Sequence, residues 1–357
     1  WRWIFYVNLP FCVLAFISSW IAMKRFELPV SNLPVDFLGS FLIASACICI
    51  VLFVLWGGAA TGYPWDSGVI IGLIVASIVL LVLFIIQEKR HKLPIIELNM
   101  FKIRNVALIM PLIFFVGMQM FAGFTFLPVY FQSVLMDTAL MSGVKLFPLV
   151  VTFLFGAFLA SAILQKTGKI GFLVPLGAVF LTVGLGLFAL IRPDTNYGDL
   201  AGFMILFGMG MGIIFALISV TLQNSVEAAQ MGVVMSAFAF FQLLGGSLGV
   251  AIVGALMNHW SEIAFIENPF DPLLALCKAL DNVFLATIVP GGVVILLSLF
   301  VQTVKIKKEE GIELDLSGKE RAIGAGEDSN TKNDNNSDSN KNHNHNEAAV
   351  APAPETP

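Results

Sequence analysis

The sequence predicts an all-α, polytopic membrane helix bundle, and three observations carry that reading. The residues AVILMFWYC make up 57 % of the 357-residue chain and charged residues only 12 %, with a mean hydropathy of +0.87. A soluble fold of this size has too little polar surface to clothe so much apolar side chain. The apolar residues also fall into nine runs, each near the ~20 residues that carry a helix across a ~30 Å hydrocarbon core. Finally, the charges are segregated: 18 of the 44 lie from Lys305 onward, leaving a long apolar body and a polar tail.

The first run, 4–23, is longer than the ~7–15-residue core of a signal peptide, and no small-residue cleavage site follows it. It reads as a spanning helix. The others are 37–56, 68–87, 106–130, 144–164, 172–191, 200–222, 232–257 and 282–304. All must be helices, because lipid offers no partner to exposed backbone N–H and C=O groups. The intervals carry turn chemistry: Gly57-Gly58 with Tyr63-Pro64, Arg192-Pro193-Asp194, and Asn268-Pro269. Pro111, Pro128, Pro148, Pro175 and Pro290 are expected to interrupt helices, where neighbours re-satisfy the backbone. Gly208 and Gly212, and Gly245 with Gly246 and Gly249, are expected at close helix–helix approaches.

Lys and Arg set the orientation. Lys24, Arg25, Lys89, Arg90, Lys92, Lys102, Arg104, Lys166, Lys169, Lys305, Lys307 and Lys308 fall on one side, against Arg2, Lys145, Arg192 and Lys278 on the other. The positive-inside rule puts Trp1 outside and the tail in the cytoplasm. An odd number of spans starting outside predicts that an odd number of helices precedes Trp1, and the missing initiator methionine agrees. The tail, low in complexity from about Gly311 and rich in Asn, Ser, Asp and Lys over 330–346, is expected to be disordered. His343 and His345 belong to that polar tract.

Several function classes are set aside. The 13 acidic residues before the tail all fall in expected loops or at helix ends, so no carboxylate marks a mid-membrane ion path. No paired-carboxylate site, HExxH, GxSxG or GxxxxGK[ST] is present. Neither an enzyme nor an ATP-driven pump is expected, and no metal, cofactor or nucleic-acid partner. Cys12, Cys47 and Cys49 read as small buried hydrophobes and Cys277 as a loop thiol. What the spans do hold is neutral polarity: Gln119, Gln132, Gln242, Asn8, Thr125, Thr152, Ser219 and Ser236. Any one of these can serve interhelical hydrogen bonding. A cavity lined by amides and aromatics also suits an amphipathic organic solute.

Several stretches then resemble a known family. Trp1-Arg-Trp-Ile-Phe-Tyr-Val-Asn-Leu-Pro10 resembles the segment opening the sixth helix in the fourteen-helix drug:proton antiporter branch of the major facilitator superfamily. Asp36-Phe-Leu-Gly39, Trp56-Gly-Gly with Tyr63-Pro-Trp-Asp-Ser67, Leu127-Pro-Val-Tyr-Phe-Gln132, Ser142-Gly-Val-Lys-Leu-Phe-Pro148, Lys166-Thr-Gly-Lys169 and Leu244-Gly-Gly-Ser-Leu-Gly-Val-Ala251 follow in that family's order. The resemblance covers about residues 1–304. It implies that 1–36 holds the last helix of an N-terminal half and a cytoplasmic linker, and 37–105 two inserted helices and a loop. It further implies that 106–304 is a C-terminal six-helix half, with 305–357 the cytoplasmic tail.

The implied function is proton-driven efflux of small amphipathic organic compounds by alternating access, in the plasma membrane in preference to an internal one. The driving force would be the proton gradient, with the coupling residues in the preceding half. The partners would be the lipid bilayer, the small-molecule solute and that N-terminal half. Gln119, Tyr130, Gln132, Ser219 and Gln242 are the expected solute contacts, and Gly208, Gly212, Gly245, Gly246, Gly249, Pro128 and Pro148 the packing and gating positions. Gln242 stands where many members carry arginine, so a fixed positive charge is absent there. Export of one defined metabolite, toxin or siderophore stays open, as does a non-transporting sensor or scaffold displaying the Asn-rich tail.

Overall fold

The computed structural model describes residues 2–23, 36–57, 63–91, 98–168, 171–192, 194–227, 230–267, 270–301, 312–314 and 320–322. Lys24, Arg25, Lys92, Lys169, Lys305, Lys307 and Lys308, the Asn268-Pro269 turn and the tail histidines lie outside them. Among the described residues the body is entirely helical, with nine spans long and apolar enough to cross a membrane. The elements are α1 (Arg2–Met23), α2 (Phe37–Trp56), α3 (Gly68–Arg90), α4 (Arg104–Ser133), α5 (Ala139–Lys145), α6 (Phe147–Thr167), α7 (Leu173–Leu187), α8 (Tyr197–Asn224), α9 (Met231–Glu267), α10 (Pro272–Ala286) and α11 (Ile288–Phe300). A 3-10 turn, Leu98–Lys102, leads into α4, and another, Phe188–Leu190, follows α7.

Helix ends follow the local chemistry. The side chains of Asp36, Ser67, Thr138, Asn196 and Asp271 accept from backbone N–H groups at the starts of α2, α3, α5, α8 and α10. Gly168 closes α6 at φ +63°, a left-handed conformation that costs glycine little. Prolines divide by position. Pro111 and Pro128 lie inside α4, and Pro10 inside α1. Pro175, expected to interrupt a helix, instead stands in the first turn of α7, whereas Pro148 and Pro290 stand in the first turns of α6 and α11, just past the breaks in the spans Ala139–Thr167 and Pro272–Phe300. An N–H is not needed there, so proline starts a helix at no cost.

The ends also depart from expectation. The run at 232–257 continues to Glu267, making α9 37 residues, or about 55 Å at 1.5 Å per residue. The last span starts at Pro272, ten residues before the apolar run, and breaks at Thr287, whose N–H bonds to the Phe284 carbonyl. Pro290 has no N–H with which to continue the ladder to Ala286. Cys277 is therefore no loop thiol but a buried residue of α10, whereas Cys12 is exposed on α1.

The core lies in the α4–α11 bundle. There α4 packs on α9, α8 on both α6 and α7, α11 on α4 and α7, and α10 on α9. Phe188 stacks with Phe203 and Phe284 at ring-centroid distances of 5.8 and 5.5 Å. The α2–α3 hairpin packs on this bundle through α2 and α9. Every described side chain of α1 is exposed. The segment after Ile306 is a separate unit. Within it Ile312–Leu314 pairs antiparallel with Glu320–Ala322, Ile312 opposite Ala322. This short hairpin departs from the expectation of an unstructured tail.

Candidate functional site

Small residues bring the helix axes together and so fix where every polar group points. A Cβ on Gly245 would strike the Phe114 carbonyl, and one on Gly249 would sit 2.6 Å from the Met118 Cα. Gly117 faces the Gln242 carbonyl from the opposite helix just as closely, and Gly246 abuts the Phe121 ring. The same holds on α8, where Gly208 meets the Leu149 carbonyl and Gly212 the Phe153 carbonyl of α6. Such backbone contact is how helices gain packing energy in lipid, where apolar burial alone drives nothing.

Against this frame the five expected solute contacts fall in different places. Gln119 is wholly enclosed among α4, α7 and α11; its Nε2 donates to the Thr287 carbonyl at 3.3 Å, where the last span breaks. Among the described residues its Oε1 has no hydrogen-bond donor, and the hydroxyl of buried Thr182 has no partner. Both side chains crowd Gly291, a Cβ on which would lie 2.7 Å from Gln119 Nε2 and 2.7 Å from Thr182 Oγ1. Tyr130 is enclosed too, and its hydroxyl donates to the Arg192 carbonyl at 3.0 Å. Gln132 is exposed, with Nε2 3.4 Å from Ser142 Oγ. Ser219 is half-buried on α8. Gln242 is half-buried on α9, its amide 3.8 Å from Met120 Sδ on α4. Neither the pocket between α2 and α9 nor the one between the end of α9 and α10 is lined by any of the five.

The two ends of the bundle differ in chemistry. At the Arg90/Arg104 end, Asp36 is buried and accepts from the Gly39 N–H at 2.8 Å and the Gln87 amide at 3.1 Å. Burial pushes its carboxyl up, but the Gly39 N–H, the Gln87 amide and the His91 charge hold it below the ordinary carboxylate range. Asn105 donates to Ser225 there, joining α4 to the end of α8. At the other end Lys145 pairs with Asp137, lies over the Phe131 and Tyr197 rings, and offers its carbonyl to the Tyr197 hydroxyl at 3.1 Å.

Sequence reasoning missed Thr182, Thr287 and Asp281. The first two are ordinary residues of apolar runs until the fold sets them against Gln119. Asp281, expected in a loop or at a helix end, lies inside α10 and the span Pro272–Phe300. The recurrence of Leu273, Leu276, Leu280 and Phe284 at helical spacing was the available signal. Among the described residues no group of three or more His, Cys, Asp or Glu is placed to hold a metal ion.

Among the described residues, nine helical spans, backbone-to-backbone seams and scattered neutral amides define a multi-pass integral membrane protein. Residues 1–250 match the Major Facilitator Superfamily, and the chain belongs to that superfamily. It is 30 % identical over 265 residues to the multidrug transporter protein MdtP of Bacillus subtilis, covering 72 % of this chain and 47 % of that relative. It is likewise 30 % identical over 266 residues to the rubrofusarin-specific efflux pump aurT of Gibberella zeae, covering 72 % and 48 %. Efflux pump aflT of Aspergillus parasiticus matches at 28 % over 287 residues, 76 % of this chain and 55 % of that pump. The chain thus spans about half the length of the curated relatives it matches. Membership in a transporter family sets enzymes aside, and the all-α polytopic class expected from composition holds.

Proposed function

We propose that this chain is the C-terminal part of a secondary active transporter of the fourteen-helix drug:proton antiporter branch. The intact protein would export small amphipathic organic compounds in exchange for protons by alternating access. The similarity to a bacterial multidrug transporter and to fungal efflux pumps, running through 72 % or more of the chain, carries this reading. The seams of α4 with α9 and of α6 with α8 support it, because bodies locked by backbone contact move as units around a midplane site. In this reading residues 106–304 form the C-terminal half, 37–105 contain the inserted hairpin, and 1–36 contain the last helix of the other half. The tail is cytoplasmic, and the membrane is the plasma membrane.

Solute contact in this conformation falls to the side chains that keep exposed surface: Gln242 first, in the first third of the long α9, then Ser219 and Gln132. Gln119 and Tyr130 would join them only on rearrangement, since both are enclosed and bonded across helices. The rubrofusarin-specific relative favours a second reading, export of one defined metabolite. Cells producing the full-length protein and loaded with ethidium separate the two. A multidrug exporter lowers ethidium accumulation several-fold, and a protonophore abolishes the effect. Unchanged ethidium with selective export of a single metabolite supports the second reading, and export of neither refutes both.

A further inference from the structure

The inserted hairpin meets the bundle where α2 packs on α9, and a crevice of about 380 Å³ runs between these two helices. Cys47, Ile48 and Val51 of α2 and Phe240, Leu243 and Ser247 of α9 line it, each set at the spacing of one helix face. The lining is apolar but for two groups. The Ser247 hydroxyl donates to the Leu243 carbonyl of its own helix at 2.9 Å, and the Cys47 thiol is a weak hydrogen-bonding group. A wall of this kind does not hold water. The crevice is also open at its side: every residue of α2 from Cys47 to Trp56 keeps exposed surface, and Ile48 and Leu243 are 58 % and 57 % exposed.

Depth and width decide what fills it. Cys47 lies ten residues beyond Phe37, the start of α2, or about 15 Å at 1.5 Å per residue, half of the ~30 Å hydrocarbon thickness. From that midplane depth the lining climbs α2 toward Trp56, whose ring lies 6.1 Å from that of Tyr63. Trp and Tyr gather at membrane interfaces, so the crevice follows the path of one lipid tail, from below the interface to the midplane. A helix does not fit: about 10 Å across with its side chains, it would occupy on the order of 1,000 Å³ over the same 15 Å. An extended alkyl chain is one carbon thick.

We propose that this crevice holds one acyl chain of a phospholipid from the leaflet on the Trp56 side, as a resident part of the α2–α9 interface. A tail seated there meets side chains on two helices, and so gains dispersion contacts that a void would forfeit and that a tail lying against one exposed helix lacks. The contact is with the chain and not the headgroup, and it requires neither transport nor a proton gradient.

The test uses full-length protein in nanodiscs of phosphatidylcholine that carries a diazirine at the end of one acyl chain. Solubilisation in a mild detergent lets loosely held lipid exchange; irradiation follows, and peptide mass spectrometry locates the adducts. Yield at Cys47, Ile48 and Leu243 should exceed that at Val75 and Ile78, on the exposed surface of α3, by about fivefold or more. S247F fills the crevice and should lower the yield there about threefold or more, whereas V82F, also exposed on α3, should leave it unchanged. A circular-dichroism melt accompanies each variant; if S247F fails to fold, I48F replaces it, read at Cys47 and Leu243 with the same expected direction. Equal yield on α3, no adduct in the crevice after exchange, or crevice labelling that the filling variant leaves intact overturns the proposal. Neither solute nor gradient is present, so a failure of transport leaves this result intact, and a failure here leaves the transport reading intact.

Discussion

Glycines on one helix offer a sharp contrast. A Cβ on Gly245 would collide with the Phe114 carbonyl and come within 2.9 Å of the Phe114 Cα, whereas Gly254, nine residues on, has nothing within 4 Å. Ordinary contact for a Cβ begins near 3.4 Å. Gly245→Ala therefore forces α4 and α9 apart by on the order of 1 Å, since the obstacle is backbone and cannot swing aside. Overpacking of this kind costs about 1–3 kcal/mol. Gly254→Ala meets no obstacle and should gain ~0.5–1 kcal/mol from reduced backbone freedom in the unfolded state. The two substitutions, identical in chemistry, should differ by roughly 1.5–4 kcal/mol. Titration of the detergent-solubilised full-length protein with dodecyl sulfate, followed by far-ultraviolet circular dichroism, reads that difference directly. Equal midpoints for the two variants, or a more stable Gly245→Ala, would refute the claim that the α4–α9 seam is held by backbone contact.

Other consequences are as specific. Gln242→Leu removes an amide while roughly keeping volume, and should shift apparent solute affinity about 3–10-fold, equivalent to ~0.6–1.4 kcal/mol for one hydrogen bond; a fall in abundance alone would assign Gln242 to packing. Gln119→Leu should change thermal stability by less than ~1 kcal/mol, because it gives up one long hydrogen bond but also an orphaned buried oxygen. A loss above about 2 kcal/mol would show that the Thr287 contact matters more than its geometry indicates. The Asp36 carboxylate is held below its ordinary range, so it stabilises the fold above the ordinary carboxylate pKa. That contribution should fade as pH falls through the lowered value, and Asp36→Asn should lose this acid-dependent step in a pH melt; an unchanged profile contradicts it. In a cysteine-less full-length background, a cysteine at 66 should react with an impermeant reagent on intact cells and one at 90 should not. The reverse pattern would invert the orientation.

How much of this was legible in the sequence depends on which force set each feature. Nine spans could be read because length and hydropathy are properties of the chain alone. Their ends were less legible: hydropathy faded at His259 and Glu262 although α9 runs on to Glu267, and Lys278 and Asp281 hid the first turns of α10. The roles of prolines turned on position within a turn, which composition does not reveal. The facing of Gln119 was beyond reach, because α4 is apolar all round and nothing in its own residues says which side meets α7 and α11. The glycine pairs were easier, since four-residue spacing marks a seam whichever helix fills it.

Proton-coupled export by the intact protein can be measured in reconstituted vesicles. Full-length protein is placed in proteoliposomes with a fluorescent amphipathic cation on the cytoplasmic face, and a pH gradient is imposed across the membrane. Proton-coupled export predicts solute movement against its own gradient, an accompanying opposite flow of protons seen by a pH-sensitive dye, and loss of both on collapse of the gradient. Solute flux that runs only downhill and ignores the imposed pH gradient, in protein shown to be folded, would contradict it.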